Sequence, residues 1–268
     1  MAESLAQSSP TLLGPTDPAP VGLRNILGGS PFFLICDHAG NAVPAALHDL
    51  GLNGDELGRH IGIDIGILGV SERLSDLLAA PLVFQRYSRL VVECNRRPTA
   101  SDFVAAVSDG TPVPGNAGIS AEERARRASE ISEPYHHEIV SRLDERQGAG
   151  RPTILVSMHS FTPSLRARPS LRPWHVGLCY DADRRFTMPV LDALDREPGL
   201  NVGRNEPYGV NMAADYSIPV HGEERGQLYV EFEIRQDLIA SAEGQVEWAD
   251  RIARVLTAAY AAYAGGAA

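Results

Sequence analysis

The chain predicts an α/β fold, a layered domain around a mainly parallel sheet. Three observations carry that prediction: short apolar runs with the length of buried strands, helical stretches alternating with them, and polar blocks at the ends of the apolar runs. Those blocks are His38-Ala39-Gly40-Asn41, Asn95-Arg96-Arg97-Pro98, His159-Ser160-Phe161 and Glu231-Phe232-Glu233-Ile234-Arg235. In open α/β sheets, sites collect beyond the carboxyl ends of the strands, so the blocks are expected to converge.

Taken in order, Pro31 to Asp37 is a continuous apolar run that predicts a buried strand ending at His38. From Asp64 to Ala79, the residues Ile67, Val70, Leu74 and Leu77 recur at helical spacing, and Ala80-Pro81 closes that helix before Leu82-Val83-Phe84. Ser88 to Glu93 reads as a further strand, followed by a proline- and glycine-rich loop from Cys94 to Ile119 of a length that is often functional. Ser120 with Glu123 forms a capping-box signature for a helix to about Gln147, with Pro134 placed to kink or split it. The Glu and Arg residues of this helix, with His136 and His137, read as a solvated face.

Thr153 to Met158 predicts a buried strand that delivers His159, and Trp174 to Tyr180 predicts another, with His175 structural. Arg184 to Leu194 reads as a helix despite Pro189, and Gln227 to Ile234 as a strand. A last helix from about Gly244 to Ala264 has a core-facing stripe of Val246, Ala249, Ile252, Ala253, Leu256, Ala259 and Tyr260. Residues 1–22, rich in Ser, Pro and Ala, read as a loose leader, leaving 23–268 as one catalytic domain.

Composition removes competing functions. A net charge of -10 provides no basic footprint for nucleic acid or an anionic membrane, and no run of about 18 apolar residues spans a bilayer. All 24 basic residues are arginine, which excludes a Schiff-base lysine and the lysine of a phosphate-binding loop. Cys36, Cys94 and Cys179 are odd in number and far apart, which suits a reduced cytoplasmic protein with buried thiols in place of a disulfide framework or thiolate metal site. No Gly-x-Ser-x-Gly elbow supports a serine hydrolase. The blocks instead hold imidazoles for a metal, carboxylates for proton transfer and arginines for an anionic substrate.

Asp37-His38-Ala39-Gly40-Asn41 with Pro44, Tyr87-Ser88-Arg89 leading to Asn95-Arg96, His159-Ser160-Phe161, and Glu233-Ile234-Arg235-Gln236-Asp237-Leu238 together resemble the N-formylglutamate amidohydrolase family over roughly Phe32 to Ile239. The resemblance implies a three-layer α/β/α domain with a mixed, mainly parallel sheet, like that of zinc exopeptidases and other phosphorylase/hydrolase-like folds. It also implies hydrolysis of a linear amide, that of an N-formyl or N-acyl, acidic amino acid, by a zinc-activated water, with one Zn2+ per chain.

The resemblance assigns His38 and His159 as metal ligands. Asp64, which opens a helix where other branches carry histidine, is either the third ligand or the helix cap. Asn41 stands where carboxypeptidase-like sites have a glutamate, and an amide ligates zinc poorly. Glu233 is the expected general base, with Glu231 on the same strand face; the alternative for both is an ion pair with Arg225 or Arg235. Asn95 and Arg96 resemble a carboxylate clamp, Arg89 and Arg235 are candidates for a second contact, and Arg97 suits a surface ion pair. His60, His221, Asn41 and Glu231 are candidates for an orienting or oxyanion role. A second function class is a non-catalytic small-acid-binding protein on the same fold, which metal content would distinguish. The sequence leaves the oligomeric state open.

Overall fold

A computed structural model of the protein describes residues 11–266. Its elements are β1 (Val21–Arg24), β2 (Phe32–Cys36), α1 (Gly54–Leu57), α2 (Ile67–Leu78), β3 (Leu82–Gln85), β4 (Val107–Ser108) and β5 (Thr111–Pro112). They continue with α3 (Ala121–Arg127), α4 (Glu133–Gly148), β6 (Ile154–Phe161), β7 (Val176–Cys179), α5 (Thr187–Leu194), β8 (Val202–Arg204), β9 (Tyr229–Arg235) and α6 (Ala242–Gly266).

Seven strands form one sheet in the order β1-β3-β2-β6-β9-β7-β8, while β4 and β5 make a separate hairpin. The central pairs β3-β2, β2-β6 and β6-β9 are parallel; β1 and the β7-β8 pair join antiparallel, so the sheet is mixed and mainly parallel. Both faces are covered, which is why β2 reads as an unbroken apolar run. Phe32, Leu34 and Cys36 face one core with Ile67, Val70 and Leu74 of α2, Val190 and Leu191 of α5, and Trp248 and Ile252 of α6. Phe33 and Ile35 face the other, with Tyr135, Ile139 and Leu143 of α4. The result is the expected three-layer α/β/α arrangement.

Several expectations shift. The expected leader overlaps the body of the fold, because Leu12 is buried in the second core and Val21 begins β1; the backbone N–H groups of Leu12 and Leu13 donate to Glu130. Residues 1–10 lie outside the described residues. Ser88 to Glu93 is a buried turn, not a strand: β3 already has a neighbour on each edge, and Ser88 engages the local backbone, its hydroxyl accepting from the Leu90 N–H.

The helix from Ser120 is capped as expected, Ser120 Oγ accepting from the Glu123 N–H, but a π-turn at Ala128–Ser132 divides it just before Pro134. Its charged face is not wholly solvated. Arg127 is 1% exposed and donates to the Val91 carbonyl and Asn116 Oδ1, tying the 94–119 loop to the body. His136 is also buried.

Gly66 caps the N-terminus of α2 at φ +79°, and a Cβ there would stand 2.0 Å from the Ile239 carbonyl oxygen. This tight turn sets Asp64 at the mouth of the sheet.

Candidate active site

Sheet register assembles the centre of the site. In the parallel β6-β9 pair Ser157 lies opposite Glu231 and His159 opposite Glu233. Since side chains alternate, these four share one face, while Val156, Met158, Phe232 and Ile234 pack into the core on the other. His38 follows β2 by one turn residue, and Asp64 precedes α2. Three blocks therefore meet at strand ends; Asn95 and Arg96 arrive on the buried turn after Arg89.

His38, Asp64 and His159 are buried and offer ligand atoms to a common point. His38 Nδ1 and Asp64 Oδ2 are 3.3 Å apart, His159 Nδ1 and Asp64 Oδ2 3.2 Å, and the two Nδ1 atoms 3.2 Å. Ligands about 2.0 to 2.1 Å from a tetrahedral zinc stand roughly 3.3 Å from one another, so the triangle has the size of such a site.

The outer nitrogens have partners of their own: His38 Nε2 meets Glu93 Oε1, and His159 Nε2 has Ser157 Oγ at 3.1 Å and Asp37 Oδ2 at 3.3 Å. Tyr135 donates its hydroxyl to Asp37 Oδ1 at 2.7 Å. With Nε2–H held outward by acceptors, both Nδ1 lone pairs face inward beside a carboxylate, a donor set that fits a divalent cation.

Electrostatics agree. Burial and the Arg89 charge oppose protonation of His38, but Glu93 and Asp64 outweigh them and raise its pKa; burial is likewise overcome at His159 by Asp37 and Asp64. The site draws positive charge. Burial also opposes ionisation of Asp64, yet His38, His159 and Arg89 hold its carboxyl well below the usual range. Asp64 is thus part of the cluster, not the helix cap: Gly66 is the cap residue, and Asp64 Oδ2 accepts from the Ser160 N–H.

A pocket of about 350 Å³ opens on this cluster, and Glu231, Glu233, Asn95, Arg89, Arg96 and His60 line it. Glu233 has one buried oxygen without a hydrogen-bond partner among the described residues. Burial raises Glu231 to about 7 and Glu233 to about 8. Neither pairs with the arginines considered for them, since Arg225 pairs with Asp144 and Arg235 with Asp237.

The arginines are already engaged. Arg89 bridges Glu93 (Nε, 2.7 Å) and Asp64 (Nη1, 3.0 Å), and Arg96 bridges Asp102 (Nε, 2.9 Å) and Asp215 (Nη1, 2.7 Å). Asn95 Oδ1 accepts from the backbone N–H groups of Tyr216 and Ser217. Burial raises the Asp215 carboxyl, while the Asn211 N–H and Arg96 oppose that and favour its ion pair.

Three expected participants stand elsewhere. Arg235 stands outside the pocket lining, at the end of β9 opposite Phe161, with its guanidinium tied to Asp237. Asn41 is exposed, its amide 3.5 Å from the Leu57 carbonyl. His221 is buried against α4: His136 Nε2 donates to the Cys94 carbonyl at 2.9 Å, leaving Nδ1 to accept from His221 Nε2 at 3.0 Å. That pair braces the backbone between Glu93 and Asn95 and corrects the solvated reading of His136. Arg97 makes the expected surface pair, with Glu224.

Sequence reasoning missed Glu93, Asp37 and Asp215, and also Tyr208, which lines the pocket. Asp37 adjoins His38 and Glu93 ends the apolar run before Asn95, so both were in view without a role; Asp215 and Tyr208 carried no motif.

The N-formylglutamate amidohydrolase family profile matches residues 30–240. The chain belongs to this family. Its members are amidohydrolases, so a hydrolase acting on an amide is the activity that membership implies. A solved structure of a gene product from Agrobacterium tumefaciens is 33% identical, aligned over 94% of this chain and 98% of its own, with a TM-score of 0.89. The N-formylglutamate amidohydrolase from Ralstonia eutropha is 19% identical over 90% of this chain and 98% of its own, with a TM-score of 0.62, and shares the family's fold. None of the curated proteins matches the chain. Among the described residues no helix is long and apolar enough to cross a membrane, and all three cysteines are buried and free.

Proposed function

We propose that the protein is a metal-dependent amidohydrolase that cleaves the linear amide of an N-formyl or N-acyl amino acid. The observation that supports this best is the inward-facing donor set of His38, Asp64 and His159 beside the unpartnered oxygen of Glu233. These three residues would hold a divalent ion, and zinc suits two imidazoles with one carboxylate. Such an ion supplies Lewis acidity to the amide carbonyl and acidity to a water.

The remaining work falls to the chain. Glu233 takes the proton released as the water oxygen bonds to the acyl carbon; when the carbon–nitrogen bond breaks, that proton passes to the departing amine. The products are a carboxylic acid and a free amino acid. Asn95, Arg96 and Arg89 supply donors for the substrate carboxylate, which holds the amide against the cluster. Glu93 and Asp37 fix the imidazole orientations, and His60 lines the pocket near Asp109.

The test is direct. Purified protein should contain about one metal ion per chain and release amine from an N-formyl amino acid, and a chelator should abolish turnover until metal is restored. Metal-free protein that binds small acids without turnover would instead identify the binding-protein alternative.

A further inference from the structure

Most charges around the pocket are paired before a substrate enters. Arg89 gives Nε to Glu93 and Nη1 to Asp64, and Arg96 gives Nε to Asp102 and Nη1 to Asp215. Among the described residues, Nη2 of each arginine and Nδ2 of Asn95 remain without partners, a set that meets the needs of one carboxylate. A cavity of about 360 Å³ adjoins the pocket and shares His60, Arg89, Arg96 and Tyr208 with it. The carboxylates in its wall are all engaged: Glu93 with Arg89 and His38, Asp102 with Arg96, and Asp109 with Arg59. Arg168 lines the same cavity, is exposed, and has neither an ion pair nor a hydrogen bond among the described residues. The cavity therefore offers one cation whose charge nothing in its wall neutralises.

Asp109 fixes where that cation can stand. It occupies the β4-β5 turn at φ +44°, a conformation that aspartate tolerates better than most residues. From there its Oδ2 and Oδ1 accept from the backbone N–H groups of Arg166 and Ala167 at 3.0 and 2.9 Å, which anchors the loop immediately before Arg168.

Resting on the amidohydrolase reading above, we infer that Arg168 is the residue that selects an acidic side chain, and that Asp109 positions it by holding its loop. With the α-carboxylate of the substrate on Arg89, Arg96 and Asn95, the side chain extends into the adjoining cavity and its own carboxylate pairs with Arg168. The site then has two separate anion subsites, one for each carboxylate of an N-acyl dicarboxylic amino acid. A guanidinium takes a carboxylate through parallel N–H bonds, and Arg168 gives up no existing ion pair to do so. A neutral side chain of the same length fills the same space without meeting that charge.

Zinc-loaded, full-length protein should be assayed with N-formyl-glutamate and its neutral isostere N-formyl-glutamine. Wild type should favour the glutamate compound in kcat/KM by about tenfold, the scale of one hydrogen-bonded charge pair. Arg168→Gln should remove that preference, most of the loss appearing in KM, and Arg168→Lys, which keeps the charge without the planar fork, should retain part of it. Asp109→Asn should narrow the ratio as well, because an amide nitrogen cannot accept from a backbone N–H; an unchanged ratio there removes the positioning role from that residue. A wild-type preference for the glutamine compound, or a ratio that Arg168→Gln leaves unchanged, overturns the inference and leaves the hydrolase reading intact. If neither compound is turned over, the hydrolase reading fails, and calorimetric binding of the same two compounds still decides the subsite. Tighter binding of the glutamate compound that is lost in Arg168→Gln upholds it, and equal binding of the two overturns it.

Discussion

Glu233 must be a carboxylate to accept a proton, yet burial in the pocket raises its pKa to about 8. The reactive form is therefore lost as pH falls through that pKa, giving kcat/KM an acidic limb of about tenfold per pH unit. Positive charge bound at His38, Asp64 and His159 favours the carboxylate, so the limb of metal-loaded enzyme should lie below 8. Glu233→Gln should lower kcat by about 10²- to 10⁴-fold, abolish the limb and leave thermal stability near that of the parent. Retention of the wild-type rate would remove Glu233 from the chemistry. Glu231 sits two residues earlier on the same face and faces Cys179 in the antiparallel β7-β9 register, so its replacement tests whether the two carboxylates share the work.

At the scale of elements, the turn into α2 and the contact between α4 and the 219–223 π-turn hold the site in shape. Gly66→Ala combines an unfavourable positive φ with a Cβ directed at the Ile239 carbonyl, and should cost more than about 1 kcal/mol while shifting Asp64. A melting temperature equal to that of wild type would contradict this. His136 and His221 are buried and neutral, burial lowering them to about 4 and about 3 from 6.5. Because the folded values are depressed, their contribution is complete above pH 6.5 and declines as pH falls toward the folded values, where only the unfolded chain takes up protons. A tenfold difference in proton affinity between the folded and unfolded chain corresponds to about 1.4 kcal/mol, so melting temperature should fall between pH 7 and pH 4. A variant with glutamine at both positions should show a shallower decline, and an equally steep one would assign the acid sensitivity to other groups.

For the molecule as a whole, the cluster brings two imidazoles and a carboxylate into the interior together with the Glu93 and Asp37 carboxylates. A cation that binds this folded arrangement and not the unfolded chain stabilises it, by about 4 kcal/mol when free metal is 1,000 times its dissociation constant. Chelation should therefore lower the melting temperature, and zinc should restore it. His159→Ala should remove the zinc-dependent part of that change. Equal melting temperatures with and without zinc would rule out metal binding at the cluster.

The sequence by itself determined the layered α/β architecture, because an apolar run such as Phe32 to Cys36 has few ways to bury both faces except at the centre of a parallel sheet. It also marked His38, Asp64, His159 and Glu233, since each lies where a strand or helix begins or ends. Only the tertiary structure decided which polar residues face the same space. Ser88 to Glu93 has a strand's composition but no free sheet edge, and turns instead, bringing Glu93 to His38. Asp215 comes from 119 positions away to occupy Arg96, and His136 leaves the solvated face of its helix because His221 and the Cys94 carbonyl satisfy it inside. Local pattern encodes burial and periodicity; the partners of a charged or hydrogen-bonding group are set by long-range register, which no local pattern contains.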